Sequence, residues 1–91
     1  MTDIKQGTNQ FYIGEDESSA IAKVTFKDKD AETIIVDHTF VSEELRGQGV
    51  AGKLYNVIID YARRENKKIV PECSYIKVKM ERNKQDQDLL A

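Results

Sequence analysis

One cysteine, one histidine and a single glycine-rich turn hold most of the chemistry open to these 91 residues. The turn is Arg46-Gly47-Gln48-Gly49-Val50-Ala51-Gly52-Lys53, and the apolar strand end Phe40-Val41 lies just ahead of it. Apolar residues then recur at helical spacing, so the turn opens a helix. The first N–H groups of a helix have no partner within it, and the dipole places positive charge there, which suits a phosphate. Gly47 and Gly49 let the backbone come close to a ligand and take unusual φ angles. The N–H groups from Gln48 to Ala51 can converge on one anion. Small Ala51 leaves room at the helix start, and Arg46 can add a charge-assisted bond. The plainer alternative is a strand-to-helix turn whose glycines only help the chain reverse.

Two nucleotide-binding patterns overlap in the same turn. Gly47 to Gly52 reads G-x-G-x-x-G, with Glu72 about 20 residues beyond, where a ribose-binding acid would stand. That fold needs its first glycine directly after the strand and further βαβ units. Here Ser42 to Arg46 intervene, and little chain follows the next strand. Gly47 to Lys53 also reads G-x-x-x-x-G-K, but Leu54 replaces the hydroxyl that would hold magnesium. Val57-Ile58-Ile59-Asp60, which imitates the companion strand of such a site, continues the helix stripe instead. Neither nucleotide reading fits its surroundings.

A short series of elements must position this turn. Phe11, Tyr12 and Ile13 form a β-prone run, and Gly14 to Ser19 is a turn. Ala20 to Lys27 alternates, with Ala20, Ala22, Val24 and Phe26 on one face, as in a half-buried strand. Lys27 to Asp30 reads as a charged hairpin turn. Ala31 to Val41 is the third strand, and strict alternation puts Ile34, Val36, His38 and Phe40 on one face. These strands form an antiparallel meander. Val50, Ala51, Leu54, Val57, Ile58, Tyr61 and Ala62 then give one apolar stripe to a helix from Gln48 to Glu65. Arg63, Arg64, Lys67 and Lys68 complement the negative end of its dipole. Lys67 to Cys73 is the fourth strand, and a right-handed crossover makes it parallel to the third. The last segment is ambiguous. Ile76 to Met80 alternates like a strand, yet Ser74 is a good N-cap and Ile76 with Met80 has helical spacing.

Composition sets the outer bounds. Hydrophobic residues are 40% and charged residues 33%, which fits one globular domain over residues 1–91 with a modest core. Residues 1–10 and 84–91 are polar and expected to be loose. A net charge of −2 gives no electrostatic case for nucleic acid or an anionic membrane. No apolar run approaches the roughly 20 residues of a spanning helix, and the N-terminus has no signal-peptide segment. A cytoplasmic protein, monomeric or weakly dimeric, is expected. The lone Cys73 can form neither an internal disulfide nor a four-cysteine zinc site, and no metal is expected. Free cysteine is usually buried and structural, and a lone histidine on an apolar face is usually hydrogen-bonded in the core.

From His38 to Leu54 the sequence resembles the central motif of the GNAT (GCN5-related N-acetyltransferase) superfamily. Arg46-Gly47-Gln48-Gly49-Val50-Ala51 matches Arg/Gln-x-x-Gly-x-Gly/Ala, after an apolar strand end and a short loop, with Leu54 inside the helix. His38-Thr39 before the loop and Cys73-Ser74-Tyr75-Ile76 after the next strand resemble a very small GNAT-like subfamily. That resemblance implies a helix for the last segment. The fold class is then α/β (α+β in layer terms): a mainly antiparallel sheet with one parallel strand pair and two helices.

The resemblance also implies a ligand, acetyl-CoA or coenzyme A. Its pyrophosphate would lie on Arg46, Gly47, Gln48, Gly49, Val50 and Ala51, and its pantetheine on the backbone of Thr39, Phe40 and Val41. Asn83 would touch the same cofactor. The implied activity moves an acetyl group from acyl-CoA to an unknown acceptor, a small molecule or a protein. Cys73 is then the candidate nucleophile, because a helix start favours a thiolate and thiolate attack exchanges one thioester for another. His38 is a candidate base, and Tyr75 a further candidate for protonating the leaving thiolate. The family's usual acceptor-binding helices and strands are not seen in this sequence. A non-catalytic CoA-binding or sensing module, or a protein-interaction domain, are the other readings.

Overall fold

A computed structural model describes residues 3–91. Five strands form one sheet in sequence order. They are β1 (Lys5–Gly7), β2 (Gln10–Ile13), β3 (Ala22–Asp30), β4 (Thr33–Val41) and β5 (Lys68–Pro71). The first four pair antiparallel, and β4 pairs with β5 in parallel. The expected meander and crossover are therefore present, with one strand more than the sequence suggested. The lead-in expected to be loose contains β1, which turns back through Asn9 at φ 55° to pair Lys5 with Tyr12. Asparagine tolerates that left-handed angle, so a polar stretch without apolar alternation can still make a hairpin.

The charged run Lys27–Asp30 is not a turn. It extends β3, and the reversal falls at Ala31-Glu32, where the Asp30 carboxylate accepts the Glu32 N–H at 2.9 Å. Backbone pairing alone carries this arm, since its side chains are exposed.

Helix α1 (Val50–Arg64) lays Val50, Leu54, Ile58 and Ala62 on Ala22, Val24, Phe26, Ile34 and Val36 of the sheet. Side chains of this kind contribute roughly 1.5–3 kcal/mol each when fully buried. Phe11, Phe26 and Tyr61 cluster at one end, with ring centroids 5.1 to 6.0 Å apart. The helix begins two residues later than expected, because Gly49 is its N-cap in the left-handed region. It ends where Asn66 takes φ 56° and the Lys67 N–H returns to the Ala62 carbonyl.

The ambiguous segment is helix α2 (Ser74–Arg82), which adds Ile76 and Met80 to the same core. Its N-cap is Cys73, not Ser74, and no side chain caps it. The tail expected to be loose is a 3-10 helix, Lys84–Leu89, with Asp86 and Leu89 buried. Its end reaches the free edge of β5, where the Ala91 N–H meets the Ile69 carbonyl at 2.9 Å. No helix among the described residues is long and apolar enough to cross a membrane.

The feature that decides the site is a bulge in β4. Phe26 pairs with Val36, but the next residue back on β3, Thr25, pairs with His38, so Asp37 is an extra residue. Thr25 donates its hydroxyl to the Asp37 carboxylate at 2.6 Å, pinning the bulge. One extra residue reverses the facing of all that follows. Thr39 and Val41 lie opposite buried Val24 and Ala22, on the core face. His38 and Phe40 lie opposite Thr25 and Lys23, on the open face, and both are exposed. The expectation that His38 and Phe40 share a face with Ile34 and Val36 is thereby corrected.

Candidate functional site

Pairing between β4 and β5 stops at Val36 and Pro71. Beyond it the chain from β5 turns away, and the N–H groups of Glu72 and Cys73 both donate to the Val36 carbonyl at 3.0 Å. The remainder of β4, from the bulge to Val41, thus has an unpaired edge facing the start of α2. A cavity of about 460 Å³ opens beside it. Thr39, Val41 and Tyr75 line one end. Leu45, Arg46, Gly47, Gly49, Val50, Ala51 and Gly52 line the other.

The loop between β4 and α1 is built by local bonds. The Ser42 N–H holds the Ile21 carbonyl at 2.8 Å, and residues Glu43–Leu45 form a 3-10 turn. Arg46 leaves that turn in an extended conformation, exposed, in none of the ion pairs found among the described residues. Gly47 and Gly49 then take φ 83° and 75°. A Cβ at either position would meet nothing within 4 Å, so the space is open and the backbone angle alone demands glycine.

The end of α1 this creates has no side-chain cap and no acid in its first turn. The first intrahelical bond goes from the Lys53 N–H to the Gly49 carbonyl. The N–H groups of Gly49 to Gly52 precede it and have no acceptor within the helix. Gly52 also presents no Cβ to the space in front of it. An uncapped helix start, a bare glycine cradle and an adjacent guanidinium fit a diphosphate.

Of the residues proposed to hold a ligand, Thr39, Val41, Arg46, Gly47, Gly49, Val50 and Ala51 line this cavity. The others do not. Gln48 turns its amide back to the Glu44 carbonyl at 3.1 Å. Phe40 turns its ring to the open face, and only its backbone, the part expected to meet the pantetheine, stays on the unpaired edge. Asn83 closes α2, donating its amide to the Lys79 carbonyl at 2.7 Å. Leu45 and Gly52 line the cavity without having been singled out. Gly52 carried a signal as the third glycine of the turn, and Leu45 as the one apolar residue of an otherwise polar loop.

Cys73 is half-buried at the end of the unpaired edge. Its Sγ lies 3.3 Å from the Thr39 hydroxyl, within hydrogen-bond reach. As N-cap of α2 it also stands at the positive end of a short helix. Burial pushes the Tyr75 phenol above its ordinary range, and neighbouring Cys73 adds to that. Thr39, Cys73 and Tyr75 are therefore brought together, whereas the bulge sends His38 to the opposite face. The expected partnership of His38 with Cys73 is not formed.

A family model described as GCN5-related N-acetyl-transferase matches residues 10–89. A GCN5-like protein of Staphylococcus aureus, solved in solution, is 44% identical. The match covers 99% of this chain and 88% of that one, with a TM-score of 0.82. A GNAT family acetyltransferase from Elizabethkingia anophelis, solved with acetyl-CoA bound, is 19% identical. It covers 80% of this chain and 50% of its own, with a TM-score of 0.59, and shares the fold. A GNAT family N-acetyltransferase from Escherichia coli, in complex with CoA, is 24% identical. It covers 68% of this chain and 38% of its own, with a TM-score of 0.56. No curated protein matches the sequence.

Proposed function

This chain belongs to the GCN5-related N-acetyltransferase family, and on that premise we propose that it binds acetyl-CoA and passes the acetyl group to an acceptor. The observation that carries the reading is the uncapped start of α1, set behind Gly47 and Gly49 and opening on a cavity beside an unpaired strand edge. The diphosphate rests on the N–H groups of Gly49 to Gly52 and on Arg46. The pantetheine arm runs along the free backbone of Thr39, Phe40 and Val41, which offers the peptide groups that β5 leaves unpaired. The bound acyl-CoA supplies an activated thioester.

That path ends at Thr39, Tyr75 and Cys73. In this reading the Cys73 thiol gives its proton to water, and the sulfur attacks the thioester carbonyl. A carbon–sulfur bond to Cys73 forms as the bond to CoA sulfur breaks. The departing CoA thiolate takes a proton from water or from the Tyr75 hydroxyl, which its raised pKa keeps protonated. The acetyl group then passes to the acceptor, and Cys73 is released. His38 takes no part in activating Cys73. Its place on the open face leaves it only the role of base toward an acceptor arriving from that side.

Titration calorimetry with acetyl-CoA tests the binding site, with Gly49→Glu as the disabled variant. A carboxylate there meets the diphosphate directly, so the binding heat should vanish; unchanged affinity would sink the loop assignment. Intact mass after incubation with acetyl-CoA tests the covalent step. One acetyl increment is expected on the native chain and none on Cys73→Ala. Binding without any adduct or turnover on amines and thiols would leave a non-catalytic CoA-binding module instead.

A further inference from the structure

Asp37 stands where the strand gap meets the open face, and nothing in the acyl-transfer steps uses it. It is the first residue of β4 past the last rung shared with β5, which joins Val36 to Pro71. Two contacts with Cys73 bracket it. The Cys73 N–H reaches the Val36 carbonyl at 3.0 Å, and the Cys73 sulfur lies 3.3 Å from the Thr39 hydroxyl. Asp37 and His38 are the two residues between those points. Both therefore belong to the stretch of strand that Cys73 packs against.

The bulge turns both side chains to the open face. Thr25, opposite His38, faces that way, and its hydroxyl holds one Asp37 oxygen at 2.6 Å. The other oxygen makes no hydrogen bond or ion pair among the described residues. Lys23 and Lys27 stand on either side of Thr25 along β3, yet neither pairs with it. Bulges re-aim side chains beside active sites. Pinning this one needs only an acceptor for the Thr25 hydroxyl, which an amide would supply as well as a carboxylate. The unshared negative charge, fixed in direction beside an exposed histidine, suits a cation.

We propose that Asp37 holds the ammonium of the acceptor beside His38 and so selects a cationic amine over an uncharged nucleophile. The inference rests on the acyl-transfer reading above and adds a specificity-determining residue to it. His38 takes one proton from the ammonium, and the freed amine nitrogen attacks the carbonyl of acetyl-Cys73. A carbon–nitrogen bond forms as the carbon–sulfur bond breaks. The second proton shed by the nitrogen passes through water to the sulfur, which leaves as the thiol. His38 returns its own proton to solvent.

Release of CoA from acetyl-CoA tests it, with Nα-acetyl-lysine amide and hydroxylamine as the acceptors. The first carries an ammonium at neutral pH, and the second is uncharged. Asp37→Asn can still accept the Thr25 hydroxyl, so the bulge stays. It should lower the preference for the lysine amine over hydroxylamine, read as the ratio of kcat/KM values, by roughly tenfold or more. Most of that loss should lie in KM for the amine. Asp37→Glu should recover part of it. An unchanged preference, or equal losses on the two acceptors, would overturn the proposal. Turnover of hydroxylamine but not of the amine by the native chain would overturn it too, leaving acyl transfer intact. Turnover of neither acceptor by the native chain would sink the acyl-transfer reading, and this one with it.

Discussion

The hydroxyl of Thr39 lies 3.3 Å from the sulfur of Cys73, and the two meet because Asp37 is one residue too many for its strand. Were Asp37 paired in regular alternation, Thr39 would face away from the core. Thr39→Val keeps the shape and deletes the hydroxyl. A hydrogen bond of this kind contributes about 1 kcal/mol, so acetylation of Cys73 should slow roughly fivefold to tenfold. Thr39→Ser should restore the rate, which a purely structural role would not require. Timed intact-mass measurement reads it, and a valine variant as fast as the native chain would remove Thr39 from the mechanism.

The bulge itself can be tested by removing it. Deleting Asp37 would bring Val36 and His38 into succession, so regular alternation would still leave His38 and Phe40 outward and Thr39 and Val41 on the core face. The cavity lining would keep its facing, while the bulge and the Thr25 bond would be lost. Coenzyme A binding should therefore survive, and stability should fall by about 1 kcal/mol. Thr25→Val removes only the hydroxyl that pins Asp37, and should cost about as much by denaturant unfolding. Loss of coenzyme A binding on deletion would show that the bulge itself, and not the facing of β4, builds the site.

These two residues also mark how far the sequence could be read. The glycine turn, the crossover and the stripe of α1 follow from spacing, and the structure contains all three. Alternation was also right for β3, where Ala22, Val24 and Phe26 are buried. It failed on β4 because the pattern Ile34, Val36, His38, Phe40 looks unbroken, while the extra residue shows only in the pairing with β3. The loose ends were misjudged for a related reason. Polar sequence marks exposure, not disorder, and Asp86 is buried because Tyr55 and Arg63, far away in the chain, complete its hydrogen bonds.

Gly47 and Gly49 should respond to alanine differently from ordinary loop residues. Both hold positive φ with open space around them, so the cost is backbone strain of roughly 1–2 kcal/mol each. The strain can relax only by moving the N–H groups that face the cavity. Gly49→Ala should therefore lower coenzyme A affinity at least tenfold while the melting temperature drops by only a few degrees, roughly as that strain predicts. Gly52→Ala is the contrast. Its φ is ordinary and alanine is the best helix former, so stability should hold or rise. Calorimetry and thermal melts together decide. A Gly49→Ala variant with full affinity would mean that the cradle tolerates rearrangement.

The tail is held by a buried acid, and this makes stability depend on alkali. Tyr55 donates its hydroxyl to the Asp86 carboxylate, whose other oxygen lies 3.2 Å from Arg63. Burial, reinforced by the Asp86 bond and charge, pushes the Tyr55 phenol far above its ordinary value of 10.0. The folded chain therefore keeps a proton that the unfolded chain gives up near pH 10.0. The stability linked to it is complete below that pH and is lost progressively as pH rises above it. Tyr55→Phe should abolish this part of the alkaline loss. At neutral pH the same change leaves one Asp86 oxygen buried without its donor, at a cost of about 1–3 kcal/mol. Arg63 is partly exposed and screened, so Arg63→Ala should cost less. On the acid side the order reverses for Asp88. The Arg63 hydrogen bond holds its carboxyl below the ordinary 3.8, so its contribution is present above that pH and fades below it. Urea unfolding across pH, on the native chain and Tyr55→Phe, measures both limbs. An alkaline slope unchanged in the phenylalanine variant would assign the loss to another group.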